Sequence, residues 1–179
     1  MRVPHVTCDF TATTATGAGT VKAFAVSGDR ILPITLSSVG GTVPATLSLT
    51  LGTPATFGAF TPGITKTYES ATTANVISTA GDALLSVADP SSSNTGHLVN
   101  GTFALPEPLQ ARARNAANTG TAYNNVGSSA SPLNLLTWNG PVSNDTVTLG
   151  FSQLIKANDA LRTGSYSKTL TFTLSTTPP

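Results

Sequence analysis

Charge is scarce in this chain. Asp, Glu, Lys and Arg together make up 9% of 179 residues, against about 25% in an ordinary soluble domain. A helical protein needs Glu, Lys and Arg on its outer faces, so a mainly helical fold is excluded. The net charge is +1 and the basic residues are scattered, whereas nucleic-acid binding needs a concentrated basic patch. Cys8 is the only cysteine, which rules out an intrachain disulfide. One cysteine and two isolated histidines, His5 and His97, do not make a zinc site of usual spacing. Neither histidine has a carboxylate beside it in a catalytic motif, and no G-x-S-x-G occurs. No apolar run approaches the ~20 residues of a membrane helix, and the opening MRVPHVTCDF has no signal-peptide h-region. The chain therefore reads as the end of a longer polypeptide, with no membrane contact and no cofactor expected.

What is abundant is Ser and Thr, arranged in period-two alternation with apolar residues. Leu47, Leu49 and Leu51 alternate with Thr46, Ser48 and Thr50; Val147, Leu149 and Phe151 alternate with Thr146, Thr148 and Gly150. Tyr166, Leu170, Phe172 and Leu174 share one face. Such alternation marks half-buried strands, and β-branched Thr suits a pleated outer face. Weaker candidates are residues 6–13, 20–26, 31–36, 68–78, 83–88, 109–113 and 133–138. Turn signals rich in Gly, Pro, Asn and Asp separate these runs. The pattern predicts an all-β fold, an antiparallel β-sandwich of about ten strands with little helix. One helical turn is predicted in FSQLIKANDALRTG, where Leu154, Ile155 and Leu161 fall at helical spacing.

The small-residue stretch SSVGGTVP, Ser37 to Pro44, reads as a linker. It separates an N-terminal β segment, residues 1–37, from a sandwich module, residues 42–176. The front segment is too short for a sandwich of its own and reads as the end of a preceding repeat or as added edge strands. Asn115 to Ser131 is a low-complexity polar tract that reads as a long flexible loop.

Paired carboxylates are the remaining catalytic option. Asp9, Asp29, Asp82, Asp89, Asp145 and Asp159 mostly sit at turn residues, where aspartate closes the turn with its own side chain; Glu69 and Glu107 lie in more regular segments. Calcium would draw on loop oxygens, and the candidates are Asp82, Asp89 and Asn94, with Asn158 and Asp159 as a second cluster. Neither follows the D-x-[DN]-x-[DN]-G spacing, so turn formation is the preferred reading. The sequons at Asn100 and Asn144 are within chance for so much Asn and Thr. Arg112 and Arg114, two apart, read as solvated residues on one face of a strand.

The C-terminal stretch, with Gly164, Tyr166, Leu170, Phe172 and Leu174, resembles the ending of the WxL family of bacterial surface domains, and ALLSVADP resembles that family's first such strand. Leucine and Phe172 stand where the family carries tryptophans. TVPATLSLTLGTPATFGAFTPG, STAGDALLSVADPSSSNTGHLVNG and ANDALRTGSYSKTLTFTLS are more closely similar to the β-sandwich module that ends many secreted actinobacterial proteins, often after immunoglobulin-like repeats. That resemblance implies a non-catalytic accessory, spacer or surface-anchoring module, extracellular or at the cell surface. Its partners would be an upstream domain of the same polypeptide and a cell-wall polymer or glycan. Two alternatives come from the residues. A self-assembling fibre or coat subunit would use Val6, Cys8 and Phe10, alternating on one face, for strand addition. A carbohydrate-binding module would use Tyr123 and Trp138 as ligand contacts.

Overall fold

A computed structural model describes residues 22–27, 30–35 and 40–176. The chain divides into two units, Met1–Thr42 and Val43–Pro179, and the division falls inside the small-residue stretch. In the first unit β1 (Lys22–Ser27) pairs antiparallel with β2 (Arg30–Thr35), from Lys22 opposite Thr35 to Ser27 opposite Arg30. The predicted strand at 6–13, with Val6, Cys8 and Phe10, lies outside the described residues, as does His5.

The second unit runs β3 (Leu47–Leu51), β4 (Lys66–Ser78), β5 (Ala83–Asp89), β6 (Val99–Asn100), β7 (Phe103–Ala104), β8 (Gln110–Asn115), β9 (Asn124–Asn125), β10 (Gly127–Ser128), β11 (Leu133–Trp138), β12 (Val142–Ile155) and β13 (Thr171–Ser175). One sheet has the order β3-β4-β12-β8-β9, every pair antiparallel. In the second, β5 is flanked by β13 and by β11 in antiparallel register, with β10 adding a short parallel pairing. β6 and β7 form a small separate ribbon. The fold is all-β, with no helix among the described residues.

Alternation builds the core. On β12 the side chains of Val147, Leu149, Phe151 and Ile155 are buried, while Thr146 and Thr148 are exposed. They share one hydrophobic cluster with Val76 of β4, Leu85 and Val87 of β5, and Leu135 and Trp138 of β11. The inner faces of the two sheets thus meet in a single core, and each large aliphatic side chain so buried contributes about 1.5–3 kcal/mol.

Two sequence expectations change. The predicted helical turn is absent: Phe151 to Ile155 continues β12, with Leu154 and Ile155 paired to Thr67 and Lys66 of β4. Residues Phe151, Gln153 and Ile155 share the inner parity, so a period of two prevails over the helical spacing. Within β11, Leu135 and Leu136 are both buried because the register against β5 slips between Asn134 and Leu136, a bulge that turns two consecutive side chains inward.

The Asn115–Ser131 tract is a folded strap rather than a flexible loop. Arg114 bridges to Gly120, β9 extends the five-stranded sheet beside β8, and β10 pairs with β5. Val126, between them, is buried in the shared core, its N–H donating to the Leu109 carbonyl at 2.9 Å.

Candidate functional site

Polar side chains of inward parity form the first notable set. Asp89 closes β5 on the face that carries Leu85 and Val87, and Lys168 lies two residues from Tyr166 and Leu170 on the core-facing register. Their charged groups meet at 2.9 Å, with the side chains 0 and 6% exposed. The Lys168 ammonium also donates to the carbonyls of Asn94 at 3.0 Å and Ser93 at 3.4 Å. Asp89 accepts from the N–H of Ser91 at 2.9 Å and of Gly96 at 2.7 Å, and from the Ser91 hydroxyl. Burial alone would push the Asp89 pKa up, but the Ser91, Lys168 and Gly96 donors together outweigh it and hold it at about 2, against an ordinary 3.8.

That placement separates two of the calcium candidates. Asp82 precedes β5 and Asp89 is its last residue, a span of about 20 Å along the strand, so they cannot converge on one ion, and the carboxylate of Asp89 is occupied by an ammonium. Asp159 accepts from the Lys156 N–H at 2.8 Å and closes a turn. No group of three His, Cys, Asp or Glu able to hold a metal occurs among the described residues. Glu107 pairs with Lys156, and that pairing raises the lysine pKa. His97 is half-buried, with Nδ1 2.7 Å from the Leu105 carbonyl. Asn100 donates to the Thr163 carbonyl at 3.2 Å, and Asn144 takes a left-handed φ of 55° where the β12 register slips.

The two sequence-predicted contact residues lie in different surroundings. Trp138 is 6% exposed and belongs to the core, and its indole N–H donates to Asp145 at 2.6 Å. Its ring faces are used by packing, so no surface is left on which a sugar could stack. Tyr123 is half-buried on the outer face of the five-stranded sheet, its ring 4.1 Å from the Arg112 guanidinium. Burial raises its phenol pKa, with Arg112 opposing and Glu69 adding to the shift.

Around Tyr123 lies a dish of about 300 Å³ lined by Glu69, Ala71, Arg112, Arg114, Thr148 and Gly150, with Ser70 at its margin. Its floor is one row of the sheet: Ala71 pairs with Gly150, and Gly150 with Arg112. A Cβ on Gly150 would sit 3.0 Å from the Tyr123 hydroxyl and 3.3 Å from Arg112 Cγ. The glycine in mid-strand is therefore what lets the stacked pair lie against the sheet.

A larger groove of about 1110 Å³ runs between residues 51–62 and 161–172. Past Leu51, β3 ends while β4 continues, and the chain follows the inner side of β4. Thr72 Oγ1 donates to the Thr53 carbonyl and Ser70 Oγ to the Thr56 carbonyl, both at 2.6 Å. Each wall is closed by a tyrosine hydroxyl accepting a main-chain N–H at 2.8 Å: Tyr68 from Thr61, and Tyr166 from Arg162. The Thr61 donation lowers the Tyr68 pKa. Phe57, Phe60, Phe151 and Phe172 supply the apolar lining.

Neither the groove nor the Asp89–Lys168 pair was predicted from the sequence. For the pair a signal exists: a charged residue at inward parity on an apolar face calls for a buried partner. For the groove none does, because its walls are irregular segments. No protein family, curated protein or solved structure matches this chain.

Proposed function

We propose that the chain is a non-catalytic accessory module of a secreted bacterial protein, an immunoglobulin-like sandwich that holds a neighbouring domain at the cell surface by attaching to a wall polymer. The observation that carries this reading is where the ionisable groups end. Asp89 is spent on Lys168, Asp145 on Trp138 and Asn115, Asp159 on a turn N–H, and Glu107 on Lys156. Chemistry needs an acid or base aimed at an open space, whereas these carboxylates hold the frame together. The concave surfaces offer aromatic rings, hydroxyls, arginines and a single carboxylate, Glu69, with no second acid or histidine beside it in the dish lining, a set that suits binding.

The test is co-sedimentation of the chain with purified bacterial cell walls. Retention that survives washing supports attachment; a chain that stays in the supernatant at all wall concentrations overturns it and leaves a spacer.

A second reading, assembly by strand addition, is favoured by β3. It pairs only with β4 among the described residues, and Leu47 and Leu51 are 45 and 47% exposed along it. An open apolar edge is a template for another strand. A chain lacking the residues before Ile31 that stays monomeric, while the full chain forms filaments, would favour this reading; filaments from neither would end it.

A further inference from the structure

We infer that the dish on the outer face of the five-stranded sheet is the polymer-binding site, and that its ligand is a hydroxylated chain bearing an oxyanion, such as a polyol phosphate or a uronic-acid glycan. This rests on the attachment reading above and names its ligand.

Arg112 and Arg114 alternate with buried Ala111 and Ala113 on β8, so both guanidinium groups rise from the same side of the sheet, their backbones about 7 Å apart. Among the described residues neither lies within ion-pair distance of a carboxylate. A guanidinium presents a planar fork of donors that fits a carboxylate or phosphate. Arg112 does not have to be immobilised by the ligand, because stacking on Tyr123 has already fixed it, and a preorganised group loses less entropy on binding. Arg114 is held by donation to Asn118 Oδ1 at 3.1 Å, which leaves it further donors.

The rest of the dish selects more than a bare ion. Ala71 and Gly150 leave a flat floor, Thr148 offers a hydroxyl beside it, and Glu69 in the lining is an acceptor for hydroxyl groups. Glu69 would repel an isolated anion, yet it suits a ligand whose negative group meets the arginines while its hydroxyls meet the carboxylate. The volume is at the small end of ligand sites, so one unit of a polymer enters while its neighbours run along the open sheet face. Repetition of a weak contact along a polymer then gives retention.

The probes are soluble poly(glycerol phosphate), polygalacturonate and an uncharged glucan, titrated at low and moderate salt, with wall co-sedimentation alongside. The two polyanions distinguish phosphate from carboxylate, and the glucan isolates hydroxyl recognition. Binding of at least one polyanion that weakens tenfold or more in R112A/R114A supports the site. A smaller loss in G150A points the same way, since it keeps both charges and adds a Cβ 3.0 Å from the Tyr123 hydroxyl and 3.3 Å from Arg112, which crowds the stacked pair. Urea unfolding of G150A, run beside the titrations, separates crowding of the stacked pair from a general loss of stability. Retention on walls that neither variant alters would overturn this site and leave attachment standing. Failure of the parent chain to bind either polyanion or the walls would overturn both.

Discussion

Lys168 and Asp89 form a buried ion pair in which every partner belongs to one of two chain segments: the turn after β5 and the stretch entering β13. The pair is not symmetric. Removing the lysine leaves a carboxylate that still accepts three hydrogen bonds from Ser91 and Gly96, whereas removing the aspartate leaves a buried cation held only by the Ser93 and Asn94 carbonyls and, besides it, two unsatisfied N–H groups. D89A is therefore expected to cost about 4 kcal/mol, as for other broken buried pairs, and K168M about 2 kcal/mol. Urea unfolding followed to its midpoint, at constant m-value, checks the order. A lysine variant as damaging as the aspartate variant would contradict it.

Acid should weaken the fold through the same carboxylate. With a folded pKa of about 2 against an ordinary 3.8, the unfolded chain takes up this proton first as pH falls. The stabilisation is complete above about pH 4 and is lost on the way down to about pH 2, amounting to about 2 kcal/mol. The folded pKa of Asp89 should rise in K168M, so its stability should change less over that window. Equilibrium unfolding at pH 2.5, 4 and 6 for both chains measures the difference.

Trp138 is the only tryptophan, which makes it a clean reporter. A buried indole bound to Asp145 should emit at short wavelength in the folded chain and shift red on unfolding. W138F is expected to lose about 2 kcal/mol, the worth of a hydrogen bond to a charged acceptor. Addition of neutral or acidic glycans should leave the emission unchanged; a glycan-dependent shift would mean that the ring is reachable from solvent.

Two glycines should be intolerant in the strap. A Cβ on Gly120 would overlap the Ala113 carbonyl oxygen, and one on Gly127 the Ser131 carbonyl oxygen. G120A and G127A should therefore destabilise the chain and expose residues 115–131 to proteolysis, while G140A, with open space around it, should behave as the parent. Cleavage sites mapped by mass spectrometry would distinguish the three.

The strands that were legible in the sequence are those in which parity is clean. Val147, Leu149 and Phe151 were assigned to one face because Thr and Gly fill the other; Leu133 to Trp138 was predicted with its observed bounds, but the bulge that breaks its parity was not. The final strand was predicted too long. Tyr166, Leu170, Phe172 and Leu174 all pack against the core, but only Thr171–Ser175 pairs in a sheet. Ser167 bridges to Val99 and Lys168 turns to Asp89 instead. The strap was illegible because its order comes from backbone pairing and a single buried valine, neither of which composition registers. Of the two contact residues, Tyr123 borders a concave surface, while Trp138 was drawn out of reach by a partner seven residues ahead.

The pairing of β5 with β13 also sets a timetable. Val87 meets Phe172, about 85 positions later, so one side of the most apolar strand stays uncovered until nearly the whole module has emerged. Non-local closure of this kind is slow, and a bare strand edge invites association between chains in the interval. With so few charges to keep nascent chains apart, the yield of this module should depend on concentration and on the speed of that last closure more than on the stability of the finished fold.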